Sequence, residues 1–140
     1  MLGLDVGDRR IGLALSDPLG ILASGLGALE RRAVDRDIQA ILALIKENQV
    51  ERVVIGLPRH LDGTLGDQAR KVQIFAQRLM EATPVLVEYW DERLSTVAAQ
   101  EKLREAGAKR VTRGRVDAAA AAYILQGYLD ARGPARSASS

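Results

Sequence analysis

The spacing of apolar residues first changes near residue 33 of this chain, and that change narrows the folds open to it. Ahead of it, short apolar runs alternate with turn residues. Leu2, Leu4 and Val6 share one face of the first run and Gly3 and Asp5 the other, which is the two-residue alternation of a strand. Gly7-Asp8-Arg9-Arg10 suits a hairpin turn and residues 11–16 a returning strand. Asp17-Pro18-Leu19-Gly20 is a second turn, and residues 21–29 make a third strand, completing an antiparallel meander. Beyond the change, Val34, Ile38, Ile41, Leu42 and Ile45 recur at the spacing of an amphipathic helix over 33–48.

The rest of the chain alternates helix with strand. Residues 53–57 are a continuous apolar run stopped by Pro58, as expected of a parallel strand covered on both faces. A polar loop to Gly66 leads into a helix over 67–82, with Ala69, Val72, Phe75, Ala76, Leu79 and Met80 on its inner side. A strand over 85–90 follows, and Ser95 is a suitable N-cap for a helix running to Ala106. Residues 107–115 read as a basic loop, 116–131 as a last helix, and 133–140 as a flexible, disordered tail after a domain of residues 1–132. Hairpins followed by crossovers through helices predict a mixed five-stranded sheet with helices on both faces.

Composition excludes whole chemistries. With 140 residues, 47% of them hydrophobic, one core-bearing domain is expected. There is no cysteine, so disulfides, thiol catalysis and thiolate metal sites are ruled out. The single histidine, His60, makes an imidazole zinc site implausible, so a metal site here would be built of oxygen ligands. Lacking an apolar stretch of transmembrane length or a signal-peptide pattern, the chain is expected to be cytoplasmic and away from membranes. The first strand begins at Met1 itself, an abrupt start that leaves open whether the native chain begins upstream.

Three acidic positions stand out against this background. Asp5 lies inside an apolar strand, Asp91 and Glu92 close another, and Asp117 opens the alanine-rich last helix. Each has a plain structural reading: Asp5 capping the following turn, the others complementing a helix dipole. Adjacent strand residues point to opposite faces, so Asp91 and Glu92 cannot easily serve one ion together, and spacing alone does not choose between them. Taken together, carboxylates at strand ends and a helix start suit Mg²⁺ or Mn²⁺, because hard cations prefer oxygen. Immediately before Asp117, Lys109, Arg110, Arg113 and Arg115 stand without an intervening acid, the pattern of a phosphate-backbone contact, and Arg9 and Arg10 of the first hairpin can extend it. Tyr89, Trp90 and Tyr123 are expected in the core, since 4% aromatic content is too little for a base-stacking platform.

In this order the segments Leu4-Asp5-Val6-Gly7, Ile11-Gly12-Leu13-Ala14, Gly56-Leu57-Pro58 with Asp62-Gly63-Thr64, Asp91-Glu92-Arg93-Leu94-Ser95-Thr96, and Val116-Asp117 with Ala119-Ala120 resemble the YqgF/RuvX family of Holliday junction resolvases. The resemblance runs from residue 2 to about residue 130 and departs somewhat at Arg59-His60-Leu61. It implies a ribonuclease H-like nuclease fold related to the resolvase RuvC. It also implies Asp5, Glu92 and Asp117 as catalytic acids, with Glu92 preferred and Asp91 a second candidate ligand. The implied chemistry is phosphodiester hydrolysis with two Mg²⁺ or Mn²⁺ ions about 3.5–4 Å apart, bridged by Asp5. The implied substrate is nucleic acid: either the 5′ end of pre-16S rRNA or a four-way DNA junction, the latter calling for a homodimer. Two other classes compete with this reading. One is a non-catalytic nucleic-acid- or ribosome-binding module on the same fold. The other is an actin-like or sugar-kinase-type ATP-binding domain, opposed by the lack of a second such domain in this length.

Overall fold

The computed structural model describes residues 1–60, 62–92 and 113–132, and the side chains of the last segment from residue 116. The alternation near the amino terminus builds β1 (Leu2–Val6), β2 (Arg10–Ser16) and β3 (Ala23–Glu30). The longer periods build α1 (Val34–Glu47), β4 (Arg52–Leu57), α2 (Asp67–Ala82), β5 (Leu86–Asp91) and α3 (Arg113–Arg132). The five strands form one mixed sheet in the order β3-β2-β1-β4-β5. The meander is antiparallel, whereas β4 runs parallel to both β1 and β5. Expected and observed architectures agree: a five-stranded mixed sheet covered on both faces.

Side-chain alternation divides the core in two. Leu2, Leu4 and Val6 of β1 join Val53, Ile55 and Leu57 of β4 beneath α1 and α2, in a core closed by Ile41, Phe75 and Leu79. The opposite face is covered by α3, whose Ala121, Ala122, Ile124, Leu125 and Leu129 meet Ala14, Ala23 and Val54. This face is built for close approach. A Cβ added at Gly3 would lie 2.8 Å from the Leu125 Cβ, and one at Gly25 would lie 2.9 Å from that of Ala118. Small residues on both surfaces let the helix backbone settle almost onto the sheet.

Two boundaries differ from the sequence expectation, each with a clear cause, and one residue expected in the core is exposed. The third strand starts at Ala23 rather than at residue 21. Gln126, fully buried on α3, accepts a hydrogen bond from the Ala23 N–H at 2.9 Å and donates to the Ile21 carbonyl at 2.8 Å. Those backbone groups are therefore bound to a helix side chain where the ladder begins. The last helix begins at Arg113, so Arg113 and Arg115 belong to α3 and not to a loop, and Asp117 lies a full turn inside it. A lone glycine such as Gly114 costs about 1 kcal/mol against alanine, too little to stop a helix continuing into an alanine run. Tyr89, expected in the core, is 37% exposed on the edge strand β5. Trp90 packs against the α3 core and meets Tyr128 edge-on, with ring centroids 5.9 Å apart. The expected helix to Ala106 with its Ser95 cap, Lys109, Arg110 and the 133–140 tail lie outside the described residues.

Candidate active site

Asp5 occupies the central strand, on the face turned toward α3, two residues beyond Gly3. Its cross-strand partner on β2 is Gly12. A Cβ at Gly12 would stand 2.0 Å from the carbonyl oxygen of Asp117, so only glycine admits the helix at this point. The close contact between Gly12 and the α3 backbone thus brings Asp117 over the strand pair that carries Asp5.

Glu92 follows β5 on the same face. Its Cγ lies 3.2 Å from where a Cβ on Gly56 would stand, and the same position abuts Ile124 of α3. Asp91 is displaced by one residue. It pairs in register with Leu57, which packs into the other core, and its Oδ2 stands 3.6 Å from Nε of Arg59. Strand parity therefore separates two residues that spacing in the sequence left equivalent: Glu92 joins Asp5 and Asp117, and Asp91 stands apart as a ligand candidate, toward Arg59.

The electrostatics match this grouping. Burial raises the pKa of the Asp5 carboxyl, and the charge of Asp117 raises it further. Burial pushes Glu92 up to about 7, with added repulsion from Asp5 and Asp91. Half-buried acids that repel one another are a donor set a divalent cation would relieve, and all their donors are hard oxygens. The chemistry of the residues fits such an ion. As they stand, no three acids among the described residues converge closely enough to hold one. On the helix side Asp117 is engaged by another group: its Oδ2 accepts a hydrogen bond from Arg10 Nε at 2.6 Å.

Arg10 was expected on an outer basic rim with Arg9. Arg9 is exposed, as expected, but Arg10 turns inward to Asp117. The side chains of Arg113 and Arg115 lie outside the described residues. Arg59 is a basic residue that the sequence reading passed over. It immediately follows Pro58 at the carboxyl end of β4, and its Nη1 also donates to the Gly63 carbonyl at 3.1 Å. The Asp62-Gly63-Thr64 segment folds back through Asp62, whose Oδ1 accepts from the Thr64 N–H at 2.9 Å and its hydroxyl at 2.7 Å. These two bonds close a tight turn at Asp62–Thr64, whose Gly63 carbonyl accepts from Arg59. The available signal was position: parallel strands end at the edge where Asp5 and Glu92 lie, which is where open α/β sheets bind their ligands.

The sheet order and the helix across its glycine-rich face give the chain a ribonuclease H-like fold. Residues 1–131 match the family model RuvX, Holliday junction resolvase, and the chain belongs to that family. A protein of Desulforamulus reducens named "Putative pre-16S rRNA nuclease" is 47% identical over 131 residues, covering 93% of this chain and 96% of its own length. One of the same name from Clostridioides difficile is 49% identical over 131 residues, with 93% of each covered. Among solved structures, Thermus thermophilus RuvC in complex with a Holliday junction substrate superposes with a TM-score of 0.64 at 16% identity, covering 96% of this chain and 98% of that one. The yeast mitochondrial Holliday junction resolvase Ydc2 gives 0.55 at 12% identity, covering 91% of this chain and 76% of that one. Family membership makes this chain a nuclease, an enzyme that hydrolyses phosphodiester bonds.

Proposed function

We propose that this nuclease uses Asp5, Glu92 and Asp117 to hold two divalent cations, Mg²⁺ or Mn²⁺, and that its substrate is the 5′ end of pre-16S rRNA. The observation that carries the site is the shared face: Asp5, Glu92 and Asp117 all lie under or on α3, with Asp91 turned away. When bound, such cations activate water and stabilise charge on the leaving oxygen. The chain's own share is positional. Asp5 provides a fixed carboxylate on the central strand, Glu92 a second on the neighbouring edge, and Asp117 a third from the helix. Half-burial keeps bulk water from screening these charges, so that each counts for more toward a cation or a developing anion.

The RNA substrate is supported by the relatives that match nearly the whole chain at 47–49% identity, all carrying the rRNA nuclease name. Arg9, Arg59, Lys109, Arg110, Arg113 and Arg115 are the cations we assign to the nucleic-acid backbone, where they set position more than sequence choice. No helix among the described residues is long and apolar enough to cross a membrane; a cytoplasmic location is part of this proposal and follows from the rRNA substrate assigned here. A second reading, cleavage of four-way DNA junctions, is favoured by the family description and by the fold shared with RuvC. Symmetric junction cutting needs two active sites and therefore a homodimer.

The deciding experiment is cleavage of a pre-16S rRNA fragment and a synthetic four-way junction at matched salt, with Mg²⁺ or Mn²⁺, by the wild type and Asp5→Asn. Metal-dependent RNA cleavage lost in the variant supports the proposal. Junction cleavage alone, by a dimer, would move the assignment to the second reading. Nucleic-acid binding with no cleavage of either would leave a binding module.

A further inference from the structure

The ion pair between Arg10 and Asp117 has a consequence for cation uptake. Arg10 Nε and Asp117 Oδ2 are 2.6 Å apart, with side chains 30% and 26% exposed, so solvent screens the pair only in part. Both partners are held by backbone. Arg10 begins β2 opposite Glu30, and its carbonyl accepts from the Gly7 N–H at 2.9 Å to close the hairpin. Asp117 is pressed against Gly12, two residues along the same strand face as Arg10, and Gly12 in turn pairs with Asp5. The guanidinium is therefore built into the acidic group and is not a passing surface contact.

We propose that Arg10 competes with the divalent cation for the Asp117 carboxylate and so sets the affinity of the site for its ion. The inference rests on the metal reading above. Two cations claim one carboxylate: the guanidinium, tethered to β2 and bonded to Oδ2, and the ion recruited by Asp5 and Glu92. An ion can use Asp117 fully only as Arg10 gives it up. Arg10 is thus a positioning residue whose charge opposes loading, and its removal should tighten cation binding even though a favourable contact is lost.

The test is Mn²⁺ binding to the full chain without nucleic acid, read by the electron paramagnetic resonance of free Mn²⁺ or by calorimetry. Arg10→Gln is expected to bind Mn²⁺ about fivefold more tightly than wild type, the scale of a partly exposed ion pair. Arg10→Met, which keeps the packing of the aliphatic stem, should show the same gain and serves if Arg10→Gln does not fold. Arg10→Lys, which restores the charge, should return to within about twofold of wild type. Arg9→Gln removes an equal charge from the exposed neighbour without touching Asp117, and should change the affinity less than about twofold. Unchanged or weaker binding in the Arg10→Gln and Arg10→Met variants overturns the inference, as does equal tightening in Arg9→Gln, which would mean a general field effect. Glu92→Gln separates the two levels. If wild type binds Mn²⁺ and Glu92→Gln does not, the metal reading stands whatever Arg10 does; if none of the proteins binds Mn²⁺, both readings fall.

Discussion

The carbonyl oxygen of Asp117 lies 2.0 Å from the place a Cβ on Gly12 would occupy, so a strand and a helix more than a hundred residues apart in sequence touch backbone to backbone. No side chain fits between them. Gly12→Ala must push α3 away from the sheet or distort it. The expected cost is about 3 kcal/mol, at the upper end for overpacking, with cleavage falling further than stability because Asp117 moves off the acidic face. Chemical denaturation set beside metal-dependent cleavage would check it. An alanine variant of unchanged stability and activity would mean that the helix does not seat this closely.

Asp5 and Glu92 carry the proposed chemistry. Asp5→Asn and Glu92→Gln should each reduce metal-dependent cleavage by at least about a hundredfold, beyond the loss typical of residues that merely support metal ligands. Asp91→Asn, across the sheet and beside Arg59, should retain most of the rate. Single-turnover cleavage of the three variants decides between the acids. A loss in Asp91→Asn equal to that in Glu92→Gln would contradict the strand-parity assignment.

Stability should depend on pH through the same group. The Glu92 carboxyl rises from 4.5 to about 7 in the folded chain, first because it is buried and then because Asp5 and Asp91 repel its charge. Below pH 4.5 both folded and unfolded forms hold the proton and the group contributes no penalty. As pH climbs toward 7 the unfolded chain releases its proton first, so the folded form loses stability across that window. The raised carboxyl of Asp5 adds in the same direction. In chelator, the melting temperature should therefore fall from pH 5 to pH 8, less steeply in Glu92→Gln, and Mg²⁺ or Mn²⁺ should restore part of it at the upper end. A wild-type slope no steeper than that of Glu92→Gln would show the carboxyl to be unperturbed.

Gln126 joins the end of the second turn to α3. It is fully buried, bonded to the Ala23 N–H and the Ile21 carbonyl, and also donates to Asp130 Oδ1 at 3.0 Å. Gln126→Leu leaves backbone groups without partners and should cost about 2–3 kcal/mol, with amide exchange rising first at Ala23. Equilibrium unfolding and hydrogen exchange measure both effects. Exchange at Ala23 as slow as in wild type would mean that another partner takes over.

Asp37 anchors the opposite face. Only 2% exposed, it accepts from Arg31 Nε at 2.8 Å and from the Arg32 N–H at 3.1 Å, while Arg31 reaches the Gly7 carbonyl and lies over Phe75. Asp37→Leu strands Arg31 beside an apolar core and should destabilise the fold by about 3 kcal/mol. Denaturant unfolding checks this, and a loss below about 1 kcal/mol would class the pair with ordinary surface ion pairs.

Much of the fold was legible because it rests on periodicity. The helix over 67–82 is observed over the same residues, and the faces assigned to Leu2, Leu4 and Val6 against Gly3 and Asp5 are those of the two cores. Glu92 and Asp91 could not be separated by spacing, because the face a strand residue takes depends on its partner, here Leu57 opposite Asp91. Gln126 gave no signal: a glutamine within a helix reads as surface until the strand start it holds is placed beside it. Arg10 looked like a rim cation for the same reason, since its partner Asp117 comes 107 residues later. Pairwise polar contacts across long separations leave no periodic trace.

The strand order gives the two acids unequal anchorage. Asp5 rides on the innermost strand, where its residue pairs with Gly12 on one side and the parallel ladder to β4 closes at Leu4 on the other. Among the described residues, Glu92 follows the outermost strand, whose ladder has a neighbour on one flank only. The site thus has a datum and a follower: one carboxylate fixed in the frame of the sheet, another carried at its margin. A strand held by one ladder would yield before a strand held by two, so the central strand keeps the reference from which any displacement would be reckoned.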